Sequence, residues 1–281
     1  MSELIARHLR HAKAAGLSAQ TIDDRRKLLH RLNRELPWGL VEATTEELAS
    51  WLAGGCWAQE TRATYYKHLV AFFRWATRGR QPWLDYDPTE DLDRPVVRLG
   101  DPLPAATEEQ LHLALTGLPS PYDMVVAIAA YAGARAAEIA GLHRQDVTAR
   151  SMLLHGKGGK DRLIPTHAAV WARVQPLPPG PLIVREKHPW RPADGDYVSS
   201  RIAVWLGRIG MPEITLHAFR RRFATIAMTP REFGGAGASL VTVSRLLGHA
   251  NPVVTSRYLV PSERERDVCV AALPMYSPTP S

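Results

Sequence analysis

The chain has 281 residues, 45% of them apolar and 22% charged, with a formal net charge of +7; that length predicts two globular domains with sizeable cores. Its longest apolar run, Met124 to Ala134, is about half a membrane span, and Glu3, Arg7, Arg10 and Lys13 interrupt any apolar leader, so a membrane protein and a secreted one are both unexpected. Cys56 and Cys269 lie far apart with no CxxC, which excludes a disulfide scaffold and a zinc ribbon and points to a reducing cytosol.

In chain order, periodicity predicts a first helix over Glu3 to Ala15, ended by Gly16, and a second over Thr21 to Leu36, stopped before Pro37. Thr44 with Glu47 forms a capping-box pattern opening a third helix through Leu52. A fourth runs from Ala58 to Arg78. On it Tyr66, Leu69, Phe73 and Ala76 share an apolar stripe, while Lys67, Arg74 and Arg78 share a basic one. The second helix repeats the division, with Ile22, Leu29, Leu32 and Leu36 on one face and Lys27, Arg31 and Arg34 on another. Residue by residue the basic stripes read as solvated faces; as a pair they also suit a DNA-facing surface.

Five prolines between residues 81 and 104 predict an extended linker and a domain boundary. Beyond it, Thr107 with Glu109 and Gln110 opens a helix, and Tyr122 to Ala132 is a buried one. Ser151 to His155 and Arg162 to Pro165 flank a glycine-rich tip, the pattern of a β-hairpin. Further helices are expected over Tyr197 to Arg208, His217 to Ala227 and Val241 to Leu247. The fold class is therefore mainly α, with a small β-sheet in an α+β C-terminal domain. Charge divides along the same lines: net +5 over residues 1–80, −4 over 81–104 and +6 over 105–281. Two basic blocks suggest two modules sharing one polyanion, nucleic acid by default.

Four segments of the second half carry candidate chemistry. Arg135 at the end of the buried helix, with Glu138 three residues on, reads first as a structural ion pair. Lys157 and Lys160 sit on the hairpin tip, which lacks the spacing and hydroxyl of a phosphate-binding P-loop. His217 and Arg220 lie one helical turn apart and can present an imidazole and a guanidinium to one oxyanion. Arg221 and Arg222 fall on other faces, as contacts for phosphate backbone or solvent. Last come Leu246-Leu-Gly-His249 and, nine residues after His249, Tyr258; Gly248 should end a helix and Pro252 restart one.

In order and flanking sequence these residues resemble the tyrosine recombinases, the phage-integrase family, over nearly the whole chain. The matching phrases are Gly133-Ala-Arg135-Ala-Ala-Glu138-Ile139, Gly156-Lys157-Gly-Gly-Lys160, His217-xx-Arg220 leading to Phe223-Ala-Thr225, and Leu246-Leu-Gly-His249 ahead of Tyr258; Thr61 to Ala76 is a softer match to the core-binding domain. The resemblance implies a two-domain, C-shaped clamp: a SAM-like helical DNA-binding domain (1–80), the acidic linker (81–104) and a catalytic domain (105–281). It implies a site-specific recombinase that cuts and rejoins double-stranded DNA at a specific site, through a Holliday junction.

By that resemblance Tyr258 attacks the scissile phosphate, giving a 3′-phosphotyrosyl bond and a free 5′-hydroxyl. Arg135 and Arg220 would clamp the phosphoryl oxygens; His217 and His249 would add hydrogen bonds, one of them assisting deprotonation of a phenol whose ordinary pKa is about 10. Lys157 would protonate the leaving oxygen, with Lys160 the second candidate. Scattered histidines leave no metal-ligand spacing, and no nucleotide cofactor is implied. Expected partners are the DNA site, three further copies in a homo-tetramer and, for some members, a directionality factor, in the cytoplasm at the nucleoid. The family's arm-binding domain is expected to be absent.

Thr229 to Ser239 departs from compact members by about six extra residues and reads as a flexible loop. The tail over 267–273 has two readings, packing in cis or docking in trans on a neighbouring protomer. Two other functions share these motifs: a relaxing enzyme of the type IB topoisomerase kind, and a DNA-binding remnant without activity.

Overall fold

The structure is a computed structural model describing residues 2–97, 103–156, 159–249 and 253–256. It divides into two compact units, residues 1–100 and 101–281.

The first unit holds α1 (Ser2–Ala14), α2 (Ala19–Glu35), α3 (Thr45–Gly54) and α4 (Gln59–Ala76). Its helices start where side chains can satisfy their first N–H groups: Ser18 caps α2, and Thr44 with Glu47 closes a reciprocal box on α3. The apolar stripes meet as expected. Leu29 and Leu32 of α2 pack with Leu69, Phe72 and Phe73 of α4, Leu48 of α3 and Ile5 of α1.

The expected linker is only partly a linker. Residues 83–92 fold back on the helices: the N–H groups of Trp83 and Leu84 both reach Ala76 O, and Leu92 is buried in the core. Asp87 accepts from the Thr89 N–H at 2.8 Å, and Thr45 Oγ1 donates to Pro88 O at 2.8 Å. Prolines forbid helix there, but they do not forbid packing, and two leucines favour it.

The second unit is built around α6 (Tyr122–Ala132), buried on nearly every face. It packs against α5 (Glu108–Gly117), α8 (Ala168–Val174) and α10 (Leu216–Met228). α7 (Ala136–Ala140) packs on α9 (Gly195–Arg208). The hairpin is there: β1 (Ser151–Leu154) and β2 (Arg162–Pro165) pair antiparallel, Leu154 opposite Arg162, with Met152, Leu154 and Ile164 inward. A smaller cluster of Ala224, Met228, Val243 and Leu247 fastens α11 (Leu240–Leu247) to α10, and α12 (Val253–Ser256) follows. The expected flexible loop is instead a bonded turn. The N–H groups of Gly235, Ala236, Gly237 and Ala238 reach Pro230, Ile226, Thr229 and Ala227 carbonyls, so the extra residues satisfy their own backbone. Among the described residues no helix is long and apolar enough to cross a membrane.

Candidate phosphoryl-transfer site

The site begins with a carbonyl and a turn. α6 ends at Gly133, whose φ of 62° is left-handed; an added Cβ there would lie 2.8 Å from Leu247 Cδ2. This turn delivers Arg135 to the first position before α7, where its N–H donates to Glu138 Oε2 at 2.7 Å. Its guanidinium also donates to Glu138 Oε1, at 2.9 Å, as the ion-pair reading expected, yet the side chain remains 41% exposed. Arg135 is therefore both paired and open to a ligand.

Glu138 does more than pair with Arg135. It is 4% exposed and also accepts a two-pronged bond from Arg162 of β2, at 2.7 and 2.9 Å, while Arg220 Nη1 lies 3.9 Å away. Burial alone would raise its pKa, but Arg162 and the Arg135 N–H reverse this and hold the carboxyl below its ordinary range. Three guanidiniums face one carboxylate, so the cluster is positively charged.

The rest of the frame is the end of α11. A helix leaves its last carbonyls unbonded and partly negative. Gly248 turns left-handed (φ 65°), and those carbonyls fan out to the same three arginines. Arg162 Nε donates to Leu246 O (2.8 Å), and both Arg220 (2.9 Å) and Arg135 (3.1 Å) donate to Leu247 O. Arg135 also reaches Gly248 O at 3.2 Å. Arg220, 1% exposed on α10, donates to Gly133 O as well.

His249 follows directly. Its Nε2 lies 2.9 Å from Arg220 Nη2; a guanidinium can only donate, so Nε2 accepts and Nδ1 carries the proton toward Thr255 Oγ1, 2.7 Å away. Ser244 Oγ donates to the same hydroxyl oxygen. Desolvation, then Arg220 and Arg135, push His249 down to about 4. His217 falls to about 4 as well, by desolvation and then Arg221, Arg220 and Arg135, although its ring keeps an exposed side. Both imidazoles are neutral at pH 7, and a bound anion would oppose the arginines that keep them so.

Arg135, His217, Arg220 and His249 thus come together from three segments: the turn before α7, α10, and the residue after the Gly248 turn. Lys157 and Tyr258 lie outside the described residues. Lys160 is described and exposed in the loop between β1 and β2. Arg221 is held differently from expectation: its Nε donates to Pro104 O at 3.0 Å, and Arg222 pairs with Glu108, so both anchor the start of the unit. In the first unit Lys67, Arg74, Arg78 and Arg34 are exposed as expected. Lys27, however, pairs with Asp23 at 2.7 Å, and Arg31 pairs with Glu35 at 2.8 Å and stacks over Trp57. Sequence reasoning passed over Arg162, Ser244 and Thr255. Among the described residues no group of three His, Cys, Asp or Glu side chains is placed to hold a metal.

A cationic cradle with one open guanidinium and two neutral imidazoles suits a phosphoryl group, whose charge spreads over several oxygens. A mostly helical unit that carries such a cradle beside a hairpin defines a candidate site for a phosphate ester. Residues 105–265 match the model of the Phage integrase family, which is more than half of the chain. The chain belongs to the phage integrase family. Over 237 residues it is 32% identical to the tyrosine recombinase XerC of Rhodospirillum centenum, covering 75% of this chain and 64% of that protein. With XerC of Brucella melitensis it shares 34% over 139 residues, 45% of this chain and 42% of the other. The chain thus spans less than two thirds of either relative.

The fold is similar to that of lambda integrase, as seen in a dimer bound to a COC′ core site (TM-score 0.68, 17% identity, 92% of this chain and 76% of that one). XerH site-specific recombinase bound to palindromic difH in a post-cleavage complex gives the same TM-score, at 15% identity over 96% of this chain and 94% of that one.

Proposed function

We propose that the protein is a tyrosine-type site-specific recombinase, which cleaves double-stranded DNA at a specific site and rejoins it through a 3′-phosphotyrosyl intermediate. The observation that carries this is the convergence of Arg135, Arg220, His217 and His249 around the end of α11, with His249 nine residues ahead of Tyr258 in sequence. Tyr258 is the nucleophile; Arg135 and Arg220 hold the phosphoryl oxygens, and the histidines donate to them or take the phenol proton. Lys157 donates the proton to the departing 5′-oxygen. The helical domain (1–80) grips DNA, with the acidic strip (81–104) joining it to the catalytic domain (105–281). Strand exchange proceeds through a Holliday junction in a homo-tetramer at the nucleoid, with the tail over 267–281 docked in trans and a directionality factor setting the outcome.

The test is covalent trapping. Nicked duplexes drawn from DNA flanking the gene are incubated with wild type and with Tyr258→Phe, then resolved under denaturing conditions. An adduct with wild type alone is expected. Duplex bound without any adduct would make the protein a DNA-binding remnant, and an adduct in the Phe variant would move the nucleophile elsewhere. Deleting residues 267–281 should abolish joining of two duplexes while sparing single-site binding; unchanged joining would place the tail in cis.

A further inference from the structure

The first unit contains a second concentration of positive charge, and its centre lies on neither predicted basic stripe. Arg25 of α2 is 8% exposed, and its partners are two histidines. Its Nη1 lies 3.0 Å from His8 Nε2 of α1, and its Nε donates to His68 Nδ1 of α4 at 3.2 Å. A guanidinium can only donate, so both imidazoles accept and are neutral. Burial, then the Arg25 charge, pushes His8 down to about 3, and His68 is lowered by the same causes in the same order. These partners orient Arg25 without neutralising it. No ion pair joins Arg25 to a carboxylate among the described residues, in contrast to Arg26, Lys27 and Arg31 on the same helix. His8 Nδ1, which carries the proton when Nε2 accepts, is buried with no partner among those residues.

A buried guanidinium held only by neutral acceptors is costly unless an anion completes it. The structure supplies the place. Arg25, His8 and His11 line a cleft of about 590 Å³ with Arg74, Trp75 and Arg78, and none of its ten lining residues is acidic. His8 packs on Trp75 with ring centroids 4.9 Å apart, which fixes the wall on which Arg25 sits. Arg74 and Arg78 are exposed at the rim, one turn apart on α4 and just past its end.

We propose that this cleft is a phosphodiester-binding site for the DNA backbone, in which Arg25 is the buried, preset donor and Arg74 and Arg78 close on the phosphate from the rim. The proposal rests on the recombinase reading and deepens it by naming a contact the basic stripes did not contain. Neutral imidazoles suit this use, since they hold the guanidinium in place yet leave its charge for the ligand.

The test is the salt dependence of binding to a labelled duplex of about 30 base pairs of arbitrary sequence, where phosphate contacts dominate. Full-length wild type, Arg25→Gln, Arg78→Gln and, as a surface control with the same charge change, Arg26→Gln are compared by fluorescence anisotropy. Losing one phosphate contact should reduce the slope of log K against log salt by about 0.9. That reduction is expected for Arg25→Gln and for Arg78→Gln, and absent for Arg26→Gln. Arg78 is exposed, so its variant keeps the test valid if Arg25→Gln fails to fold. Equal slopes for Arg78→Gln and wild type would overturn the proposal, as would equal reductions in all three variants, which would mean diffuse charge. Wild type that binds no duplex would remove the recombinase reading and this site together; wild type that binds while the cleft variants match it would remove this site alone.

Discussion

Glu138 is the residue on which the cationic cluster depends. A carboxylate that is 4% exposed and bonded to two guanidiniums, with a third at 3.9 Å, cannot be removed without leaving buried like charges face to face. Breaking a buried pair by deleting one partner costs about 3–5 kcal/mol. Glu138→Ala should therefore lower the stability of the second unit by about that much, read from the urea midpoint of unfolding; a loss below about 1 kcal/mol would mean water replaces the carboxylate. Arg135 and Glu138 were legible in sequence as a pair, because three residues on a helix bring side chains together. Arg162 was not. It is 24 residues from Glu138, and an arginine in a short strand looks like any solvent-facing residue until the hairpin packs. Arg25 was hidden for the same reason, since its histidines lie 17 and 43 residues away.

At the scale of elements, most helices were legible, and their starts especially. Thr44 with Glu47 and Thr107 with Gln110 are capping boxes both in sequence and in space. α7 and α8 were missed. One has five residues and the other seven, too short for periodicity to show, and His167 caps α8 where serine or threonine would have signalled a start. The turn after α6 was read only as the end of a helix, yet it sets the site. Gly133→Ala would place a Cβ in a left-handed residue, at about 1–2 kcal/mol, and press it against Leu247 and Phe223, adding about 1–3 kcal/mol. The expected result is a melting temperature several degrees lower, with less trapped adduct, because the Gly133 carbonyl also receives Arg220. An unchanged melting temperature would mean that the α6–α7 turn yields without strain.

For the whole molecule, the division into two basic blocks was visible in the charge count, but the folding of residues 83–92 onto the first unit was not. Proline content says which conformations a strip avoids, not what it packs against. Both units also contain histidines with depressed pKa: His8 at about 3 in the first, His217 and His249 at about 4 in the second. In the unfolded chain these groups titrate near 6.5. Between pH 6.5 and 4 the unfolded state therefore binds more protons, so stability rises with pH across that window and is lost as pH falls. Urea unfolding at pH 7 and pH 5 should show a lower midpoint at pH 5; equal midpoints would mean that these imidazoles take up protons while folded.

The β-hairpin has a consequence for how this chain can change over time. The end of its ladder nearest the tip is pinned by one arginine, which meets Glu138 and Leu246 O from the strand position opposite Leu154. Successive strand residues point to opposite faces, so slipping one strand by a single residue would turn that guanidinium away and put Asp161 or Leu163 in its place. Residues added at the glycine-rich tip leave that phase untouched. Length variants of this protein should therefore accumulate at the tip and be purged from the strands, and the alternation of the two strands becomes a reading frame in space, tolerant of insertions at only one end.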